Sequence, residues 1–600
     1  MRIYEDLRLV QSRLALLQAL IVLLVAGLVV QFWNLQVVRA RHFRDQAENN
    51  RSRLVTLAAP RGALVDRNGM LLVGNRPAFS VLLVPEHAEN LDRVVERLAS
   101  ALGMGEASIR ERLARRQPYR PVVIKNDATL ADIAVLDARR RELPEVSVEV
   151  VPLRSYPLAN AAAHALGRVG EITERQLQLA EYKSLPPGAL VGQAGLESRY
   201  NRELMGKDGF RRVIVNSRGL EVQEAAREPP QDGPNLTLSI DASLQAAMEA
   251  AFEGRSGSAV ALDPVTGEIL AMTSTPAYDP NQFTTGIDPA LWASLASDPD
   301  TPLMNRVIQG SYAPGSTFKV IAATAALEEG VITPETSFYC PGQLNVYNTT
   351  FRCHPGGHGV VDLRRAIAVS CNVYFYQVGI RLEIARLAKW AKLMGLGAPT
   401  GVDLPAEASG LMPSAEWKLR VLKAPWYAGE TVSVAIGQGQ VSATPIQMAR
   451  VAAFVANGGR LVRPHFARQA TAPQPAPLVR PETIAAVKEG MRRVVAEGTG
   501  WRARLSEIEV CGKTGSAQVV GHARLEKSPS VHEIQPHGWF ICFAPADRPR
   551  IALAVLVEHG RSGGESAAPV ARKILAHYFG FERGQPAPAS GLVDSADAED

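Results

Sequence analysis

The stretch Ser311-Tyr312-Ala313-Pro314-Gly315-Ser316-Thr317-Phe318-Lys319 lies near the middle of the 600-residue chain. Its Pro-Gly pair interrupts regular structure, and the apolar, alanine-rich run 319–327 predicts a buried helix that Gly330 would end. Ser316 therefore opens this helix, and Lys319 shares its face. Burial favours a neutral lysine amine, so Lys319 is a candidate base for the Ser316 hydroxyl. An N-cap serine followed by a lysine with its amine in solvent would give the same spacing.

Two later motifs favour the catalytic interpretation. Ser370-Cys371-Asn372 separates two apolar segments of helical pattern, 363–369 and 373–378, so it forms a tight connection. Lys513-Thr514-Gly515-Ser516 lies within 508–520, a strand pattern. Ser-x-x-Lys, Ser-x-Asn and Lys-Thr-Gly in this order are typical of serine acyltransferases, which include penicillin-binding proteins and β-lactamases.

Longer motifs make the resemblance specific. The stretches are YAPGSTFK at 312–319, GETVSVAIGQG at 429–439 and TPIQMA at 444–449. With them the chain resembles the class B penicillin-binding proteins, in particular penicillin-binding protein 2, the elongation-type enzyme. The resemblance runs from the N-terminal apolar segment to residue 579.

This resemblance implies a D,D-transpeptidase that cross-links peptidoglycan stem peptides ending in acyl-D-Ala-D-Ala during cell elongation and that β-lactams acylate. It implies the catalytic residues Ser316, Lys319, Ser370, Asn372 and Lys513, and the substrate-binding residues Thr514, Gly515 and Ser516. Ser316 would be the nucleophile and Lys319 its base, while Ser370 and Lys513 would pass a proton to the leaving amine. Asn372 would hold the substrate amide. Thr514 and Ser516 would bind the terminal carboxylate together with Lys513, and the reaction needs no cofactor.

Other functions fit the same motifs. A β-lactamase or β-lactam sensor would share them but would not need some two hundred residues before the catalytic domain. A D,D-carboxypeptidase would pass the acyl group to water. A class A enzyme would need a glycosyltransferase domain, for which the N-terminal region has no motif. A non-catalytic scaffold that activates a glycosyltransferase is disfavoured by the intact motif residues.

An N-terminal segment is predicted to cross the membrane. No charged residue lies between Arg13 and Arg39, and the apolar run is longer than the ~7–15 residues of a signal peptide core. Basic residues flank both ends, so charge alone hardly sets the orientation. The expected chemistry does: the N-terminus would be cytoplasmic and the catalytic domain periplasmic, on a bacterial inner membrane.

The resemblance also implies partners. Without a glycosyltransferase domain of its own, the chain would work with a RodA-type glycosyltransferase and other proteins of the elongation complex. Gln18, Gln31 and Gly27 in the apolar segment suit helix association. Lys and Arg are spread along the chain and the net charge is +5, so nucleic acid is not implied.

The expected fold is α+β: one transmembrane helix, an elongated mixed α/β pedestal, and a transpeptidase domain with a β-lactamase-like antiparallel sheet packed by helices. The expected boundaries are 1–13 for a cytoplasmic tail, 14–38 for the helix, 39–230 for the pedestal, 235–580 for the transpeptidase domain and 581–600 for a disordered tail.

A structural zinc site is the last expectation. Its ligands would be Cys340, Cys353, His358 and Cys371, a set of three thiols and an imidazole that zinc commonly takes. The resemblance supports it, since zinc is known at this place in relatives of this type. A disulfide between Cys340 and Cys353 is the alternative in an oxidising periplasm, and His354 is an alternative ligand.

Overall fold

In the computed structural model of the chain, the described residues are 7–41, 52–114, 121–183, 185, 188–215, 221–468, 474–518 and 535–581. The disordered tail expected at 581–600 lies outside them apart from its first residue, as does the beginning of the expected cytoplasmic tail. The helices are α1 Leu7–Trp33, α2 Leu91–Leu102, α3 Glu106–Ala114, α4 Leu130–Ala138, α5 Ala163–Leu166, α6 Glu174–Leu177, α7 Gly195–Arg199, α8 Asn201–Leu204, α9 Ala242–Ala251, α10 Pro289–Ser297, α11 Lys319–Glu328, α12 Leu363–Ala368, α13 Asn372–Leu393, α14 Ala415–Leu422, α15 Ala428–Val434, α16 Pro445–Ala456, α17 Pro481–Ala496 and α18 Ala568–Phe579.

The strands are β1 Ser52–Leu57, β2 Leu64–Val65, β3 Leu71–Leu83, β4 Val122–Lys125, β5 Val146–Ser155, β6 Arg168–Glu171, β7 Leu190–Ala194, β8 Gly209–Val215, β9 Glu221–Glu228, β10 Leu236–Thr237, β11 Gly257–Leu262, β12 Ile269–Thr275, β13 Phe338–Cys340, β14 Gln343–Val346, β15 Thr349–Arg352, β16 Gly359–Val361, β17 Cys511–Ala517, β18 His537–Ala544 and β19 Ile551–Val557. The chain divides into two compact units. The first comprises the described parts of Met1–Pro60, Pro77–Pro152 and Gly206–Asp232, and the second those of Arg61–Arg76, Leu153–Met205 and Gly233–Asp600.

The first unit contains the apolar N-terminal helix. Gln11–Val38 has a mean hydropathy of 2.5 and is long and apolar enough to cross a bilayer, by length and composition. Among the described residues it is the one helix of this kind. Its last residues, Asn34–Val38, form a π-helical turn.

The rest of the first unit contains β4 and part of β5, both paired with β3, together with a small helical lobe and a three-stranded sheet. The sheet has the order β1-β8-β9, with antiparallel pairing throughout. In the lobe, α2, α3 and α4 bury one apolar face each, with Leu98, Ile109 and Leu136 in a common core. Asn90 caps α2 with its side chain and Gly103 ends the helix in the left-handed region. The sequences 91–102 and 109–113 predict a small helical lobe, and the structure confirms it.

The second unit is built on a five-stranded antiparallel sheet of order β12-β11-β19-β18-β17. Helices α9 and α18 pack on one face, where Met248 and Ile574 meet Leu553. On the other face α16 contributes Phe454 to a second core that includes Ile541. Strands come first and last in this segment with helices between them, so the expected α+β class is confirmed.

Segments 61–76 and 153–205 belong to this second unit, and their apolar side chains enter the same core. Leu64, Leu166 and Leu196 are fully or nearly fully buried there. Asp66 closes a tight turn between β2 and β3: its Oδ1 accepts from the backbone N–H of Asn68 and Met70 at 2.8 and 2.7 Å. Its other oxygen accepts from the Ala242 N–H at the start of α9 at 3.2 Å. Asp66 is thus structural.

Candidate active site

Ser316 lies where the chain enters the buried helix α11. The preceding residues form a 3-10 turn, Gly315–Phe318, and only 8% of Ser316 is exposed. Gly315 has φ +52°, and a Cβ at this residue would lie 2.4 Å from the Ser516 carbonyl oxygen. A Cβ at Gly437 would come within 2.1 Å of the Gly315 oxygen. Glycine at these two positions lets the Ser316 turn fit between strand β17 and the 429–439 segment.

Lys319, in the first turn of α11, reaches the second motif. Its Nζ is fully buried and donates to the Ser370 carbonyl oxygen at 2.7 Å, to Ser370 Oγ at 3.0 Å and to Asn372 Oδ1 at 2.5 Å. Ser370 can wrap around this amine because its backbone is left-handed, with φ +55°. Asn372 begins α13. The tight connection predicted between two helices is confirmed.

Lys513 approaches the same hydroxyl from the sheet. It is fully buried on β17, at the edge of the five-stranded sheet, and its Nζ donates to Ser370 Oγ at 2.9 Å and to the Thr514 carbonyl oxygen at 2.9 Å. Ser370 Oγ therefore lies within hydrogen-bonding distance of two lysine amines. A hydroxyl in this position can pass a proton between them.

The remaining residues of the third motif face the Ser316 turn. A Cβ at Gly515 would lie 3.0 Å from the Pro314 oxygen, so a side chain here would crowd the turn. Gln438 Nε2 donates to the Ser516 carbonyl oxygen at 3.0 Å. Thr514 and Ser516 are 6% and 8% exposed, which places both at a nearly closed surface.

The structure thus brings together all eight predicted catalytic and substrate-binding residues, and it adds neighbours that motif spacing did not single out. Thr499 Oγ1 lies 2.6 Å from Thr514 Oγ1. Tyr312 donates its hydroxyl to Glu558 Oε1 at 2.7 Å, and Arg306 Nε donates to Glu558 Oε2 at 3.1 Å. Gln438 lies in the motif at 429–439, but the motif does not predict its contact with Ser516. Thr499 and Glu558 have no nearby motif residue in sequence, so no local pattern could have revealed them.

The four predicted metal ligands also converge. The ligand atoms of Cys340, Cys353, His358 and Cys371 all lie within 4.8 Å of one another. His358 Nδ1 is 3.6 Å from Cys340 Sγ and 3.5 Å from Cys353 Sγ. Tetrahedral coordination with zinc–sulfur and zinc–nitrogen bonds of ~2.3 and ~2.0–2.1 Å separates sulfur from nitrogen by about 3.5 Å. The donor set and its spacing fit zinc.

Backbone and thiol groups around the cluster stabilise negative charge on sulfur. The Asn372 N–H donates to Cys353 Sγ at 3.2 Å. A hydrogen bond from Cys371 is the largest of the effects that hold the pKa of the Cys353 thiol well below its ordinary value, and the same bond raises the pKa of Cys371. All five cysteines are free, so the Cys340–Cys353 disulfide considered above is not formed. His354 lies beside His358, with ring centroids 5.7 Å apart, and is not in the set.

Comparisons with known proteins agree with this geometry. The model of the penicillin-binding protein transpeptidase domain matches residues 257–576, and that of the penicillin-binding protein dimerisation domain matches residues 56–238. The chain is 34% identical to the peptidoglycan D,D-transpeptidase MrdA of Acinetobacter baumannii, over 99% of this chain and 91% of the relative. The chain belongs to the penicillin-binding proteins of the PBP2 type. As a member of this family with a matched catalytic domain, it is a D,D-transpeptidase.

Two solved structures share the fold. A complex between PBP2 and MreC from Helicobacter pylori matches with a TM-score of 0.79 and 30% identity, covering 88% of this chain and 100% of that one. A second structure, described as the structural coordination of polymerization and crosslinking by a peptidoglycan synthase complex, matches with a TM-score of 0.69 and 32% identity over 97% of this chain and 100% of that one. Family membership thus favours a transpeptidase over the β-lactam sensor and the non-catalytic scaffold considered above.

Proposed function

We propose that this PBP2-type protein cross-links peptidoglycan stem peptides during cell elongation through an acyl-enzyme on Ser316. The observation that carries the proposal is the convergence of two buried lysine amines, Lys319 and Lys513, on the hydroxyl of Ser370 beside the turn that holds Ser316. Ser370 thereby connects Lys319, the base proposed for Ser316, to Lys513, a second group that can carry a proton. The reaction needs such a connection because the leaving amine must gain a proton.

In the first half of the reaction, the Ser316 hydroxyl attacks the carbonyl between the terminal D-alanines and Lys319 takes its proton. Ser370 and Lys513 return a proton to the departing nitrogen, so D-alanine leaves with a neutral amine. Backbone N–H groups of Ser316 and Ser516 hold the oxyanion, and each such donor contributes roughly 10²–10³ in rate. Asn372 orients the substrate amide.

In the second half, an amine of a neighbouring stem peptide attacks the acyl carbonyl and loses a proton to the same groups. The bond between the acyl group and Ser316 Oγ breaks, Ser316 Oγ regains a proton from Lys319, and the new amide closes the cross-link. Before the first half, Thr514, Ser516 and Lys513 bind the terminal carboxylate of the donor peptide, and Gly515 leaves room for its backbone. A β-lactam carries a reactive amide and a carboxylate at similar positions, so it acylates the same serine.

The test is intact-mass spectrometry after incubation with benzylpenicillin. The wild-type chain should gain one adduct, and Ser316→Ala should gain none. Ser311→Ala is the matched control, because Ser311 is exposed, lies five residues earlier and bonds Ser442 instead of the site. An adduct that persists in Ser316→Ala would refute the assignment. Transfer of the acyl group from a D-Ala-D-Ala peptide to an added amine, and not only to water, distinguishes a transpeptidase from a carboxypeptidase.

We further propose that Cys340, Cys353, His358 and Cys371 hold one structural zinc ion. The ion would add no catalytic chemistry; it would tie the 338–361 segment to the loop between Ser370 and Asn372. The sulfur–nitrogen distances near 3.5 Å support this, as does the Asn372 N–H bond to Cys353 Sγ. Backbone donors of this kind commonly orient metal-bound thiolates.

Metal analysis of protein purified without a histidine tag should find about one zinc per chain. Cys371→Ser should lose the metal and lower the melting temperature. Cys542→Ala is the control, since this buried thiol lies outside the cluster. Metal-free wild-type protein with Cys340 and Cys353 oxidised to each other would overturn the zinc proposal.

We also propose that α1 anchors the protein in a bacterial inner membrane, with its N-terminus cytoplasmic, and that it contacts a RodA-type glycosyltransferase. Gly27 supports the second part, because nothing lies within 4 Å of where its Cβ would be and Leu20, Leu23, Leu24 and Leu28 line a shallow groove beside it. Protease protection in spheroplasts tests the orientation. Replacement of α1 by an unrelated spanning helix should reduce co-purification of the glycosyltransferase, and unchanged co-purification would remove α1 from the interface.

A further inference from the structure

The turn 497–500 contacts the third catalytic motif and the end of α12, two residues before the second motif. It follows α17 and leads into the 3-10 turn Trp501–Ala503. The Thr499 N–H donates to the Ala368 carbonyl oxygen at 3.3 Å, two residues before Ser370, while the Thr499 hydroxyl lies 2.6 Å from that of Thr514. This contact between the two hydroxyls has no part in the reaction steps proposed for the site.

The backbone of the turn is held independently of the Thr499 side chain. A Cβ at Gly498 would lie 2.2 Å from the Ala368 oxygen, and the Gly500 N–H donates to the Val494 oxygen at 2.9 Å. A Cβ at Gly564 would meet the Thr499 carbonyl oxygen at 2.7 Å, so the turn is packed from a second side. The hydroxyl can therefore be removed while the turn keeps its path.

The number of hydrogens on the two hydroxyls determines which of Thr499 and Thr514 must donate when substrate is bound. Each threonine hydroxyl has a single hydrogen to donate. If Thr514 donates its hydrogen to Thr499, none remains for a ligand. If Thr499 donates to Thr514 Oγ1, the Thr514 hydrogen is available for an anionic ligand, and a carboxylate accepts only.

We propose that Thr499 is a positioning residue that commits the Thr514 hydroxyl to donating to the substrate's terminal carboxylate. This inference rests on the function proposed above, in which Thr514 binds that carboxylate. Two hydroxyls in a chain polarise each other, so the Thr514 donor is strengthened as well as oriented. The bond it makes to the carboxylate is charge-assisted. Thr499 itself touches neither the substrate nor the reacting atoms.

The experiment compares two acylating probes on the full chain: benzylpenicillin, which has a carboxylate, and its methyl ester, which has none. Thr499→Val removes the hydroxyl and keeps the shape. It should slow acylation by benzylpenicillin roughly three- to tenfold, the range of one neutral hydrogen bond, and leave the rate with the ester unchanged. Thr499→Ser, which keeps a hydroxyl, should restore most of the wild-type ratio of the two rates.

Thr324→Val is the matched control, because it removes a buried threonine hydroxyl that donates to Val320 within α11 instead of to the third motif. It should not change the ratio of the two rates. Equal slowing of both probes by Thr499→Val would show a merely structural side chain and overturn the inference, as would no slowing at all. Absence of any adduct on wild-type Ser316 would instead refute the proposed function itself, and the inference with it.

Discussion

Two buried clusters in the second unit each hold two basic side chains close together. The clusters differ in the group that accepts hydrogen bonds from both side chains. In the structural cluster, Arg154 Nε donates to Glu197 Oε1 at 2.6 Å and Arg61 donates to Glu197 Oε2 at 2.7 Å. In the catalytic cluster, Lys319 and Lys513 both donate to Ser370 Oγ, at 3.0 and 2.9 Å. The acceptor shared by the two basic side chains is a carboxylate in the first cluster and an uncharged hydroxyl in the second.

The difference separates stability from reactivity. A buried carboxylate between two guanidinium groups offsets their desolvation, and Asn201 Oδ1 takes a further donor from Arg61 at 3.0 Å. Arginine does not lose its proton in proteins, so this cluster is chemically inert. The lysines instead donate to a hydroxyl, to carbonyl oxygens and to the Asn372 amide oxygen. These acceptors are uncharged, so a lysine can still exchange a proton or bind an anionic substrate group. Three measurements test the contrast.

The largest expected effect is on reactivity. Lys319→Met removes the amine and keeps an apolar stem of similar length in a fully buried position. Acylation of Ser316 by benzylpenicillin should fall about 10²–10⁴-fold, the usual contribution of a general base. The midpoint of urea unfolding should change little, because methionine fills a similar volume and the variant no longer buries a polar amine. Loss of stability as large as the loss of reactivity would mean that the lysines serve the fold as the arginines do.

The second effect is on stability. Glu197→Gln leaves the two arginines without their carboxylate in a fully buried position, and the free energy of unfolding should fall by about 3–5 kcal/mol. Urea unfolding followed by tryptophan fluorescence measures it, and the folded fraction should still be acylated at the wild-type rate. Glu253→Gln is the control: this residue pairs with Lys573 at the surface, where solvent screens the charges and the pair contributes little to stability. Equal effects from the two variants would contradict the role of Glu197.

The smallest expected effect is on stability near neutral pH and concerns His164. This buried titratable residue belongs to neither cluster. Burial lowers the pKa of His164 from 6.5 to about 4. Its Nε2 bonds the Pro302 oxygen at 2.8 Å, its ring meets Tyr278 edge to face, and the Arg306 charge also disfavours protonation. Between these two pH values the unfolded chain binds more protons than the folded one, so stability falls as the pH is lowered from about 6.5 to about 4.

His164→Gln should therefore flatten the dependence of the melting temperature on pH across this interval and leave acylation at pH 7 unchanged. An equally steep dependence in the variant would assign the acid lability to other groups. A changed acylation rate at pH 7 would connect this residue to the catalytic cluster, contrary to the separation described above.

Much of the fold followed from local patterns. The sequence predicts the helices around the first two motifs, a hairpin over 258–272 and a helix over 567–579, and all are present, because apolar periodicity, caps and turns act over a few residues. The sequence 236–240 predicts a strand of five residues, and the observed strand is shorter. Only Leu236–Thr237 is extended, because its partner β2 has two residues before Asp66 turns the chain.

The sequence by itself determined which chemical groups are available: a serine and lysine at the start of an apolar helix, two further motifs in order, and three thiols with a histidine. Tertiary structure decided which of them meet. Lys513 and Ser370 are 143 positions apart, Arg61 and Glu197 are 136 apart, and Thr499 reaches Thr514 from a turn with no motif of its own. Hydrogen bonds and metal coordination act over about 2–4 Å, and side-chain atoms come within that range only when the whole backbone path and its packing are in place.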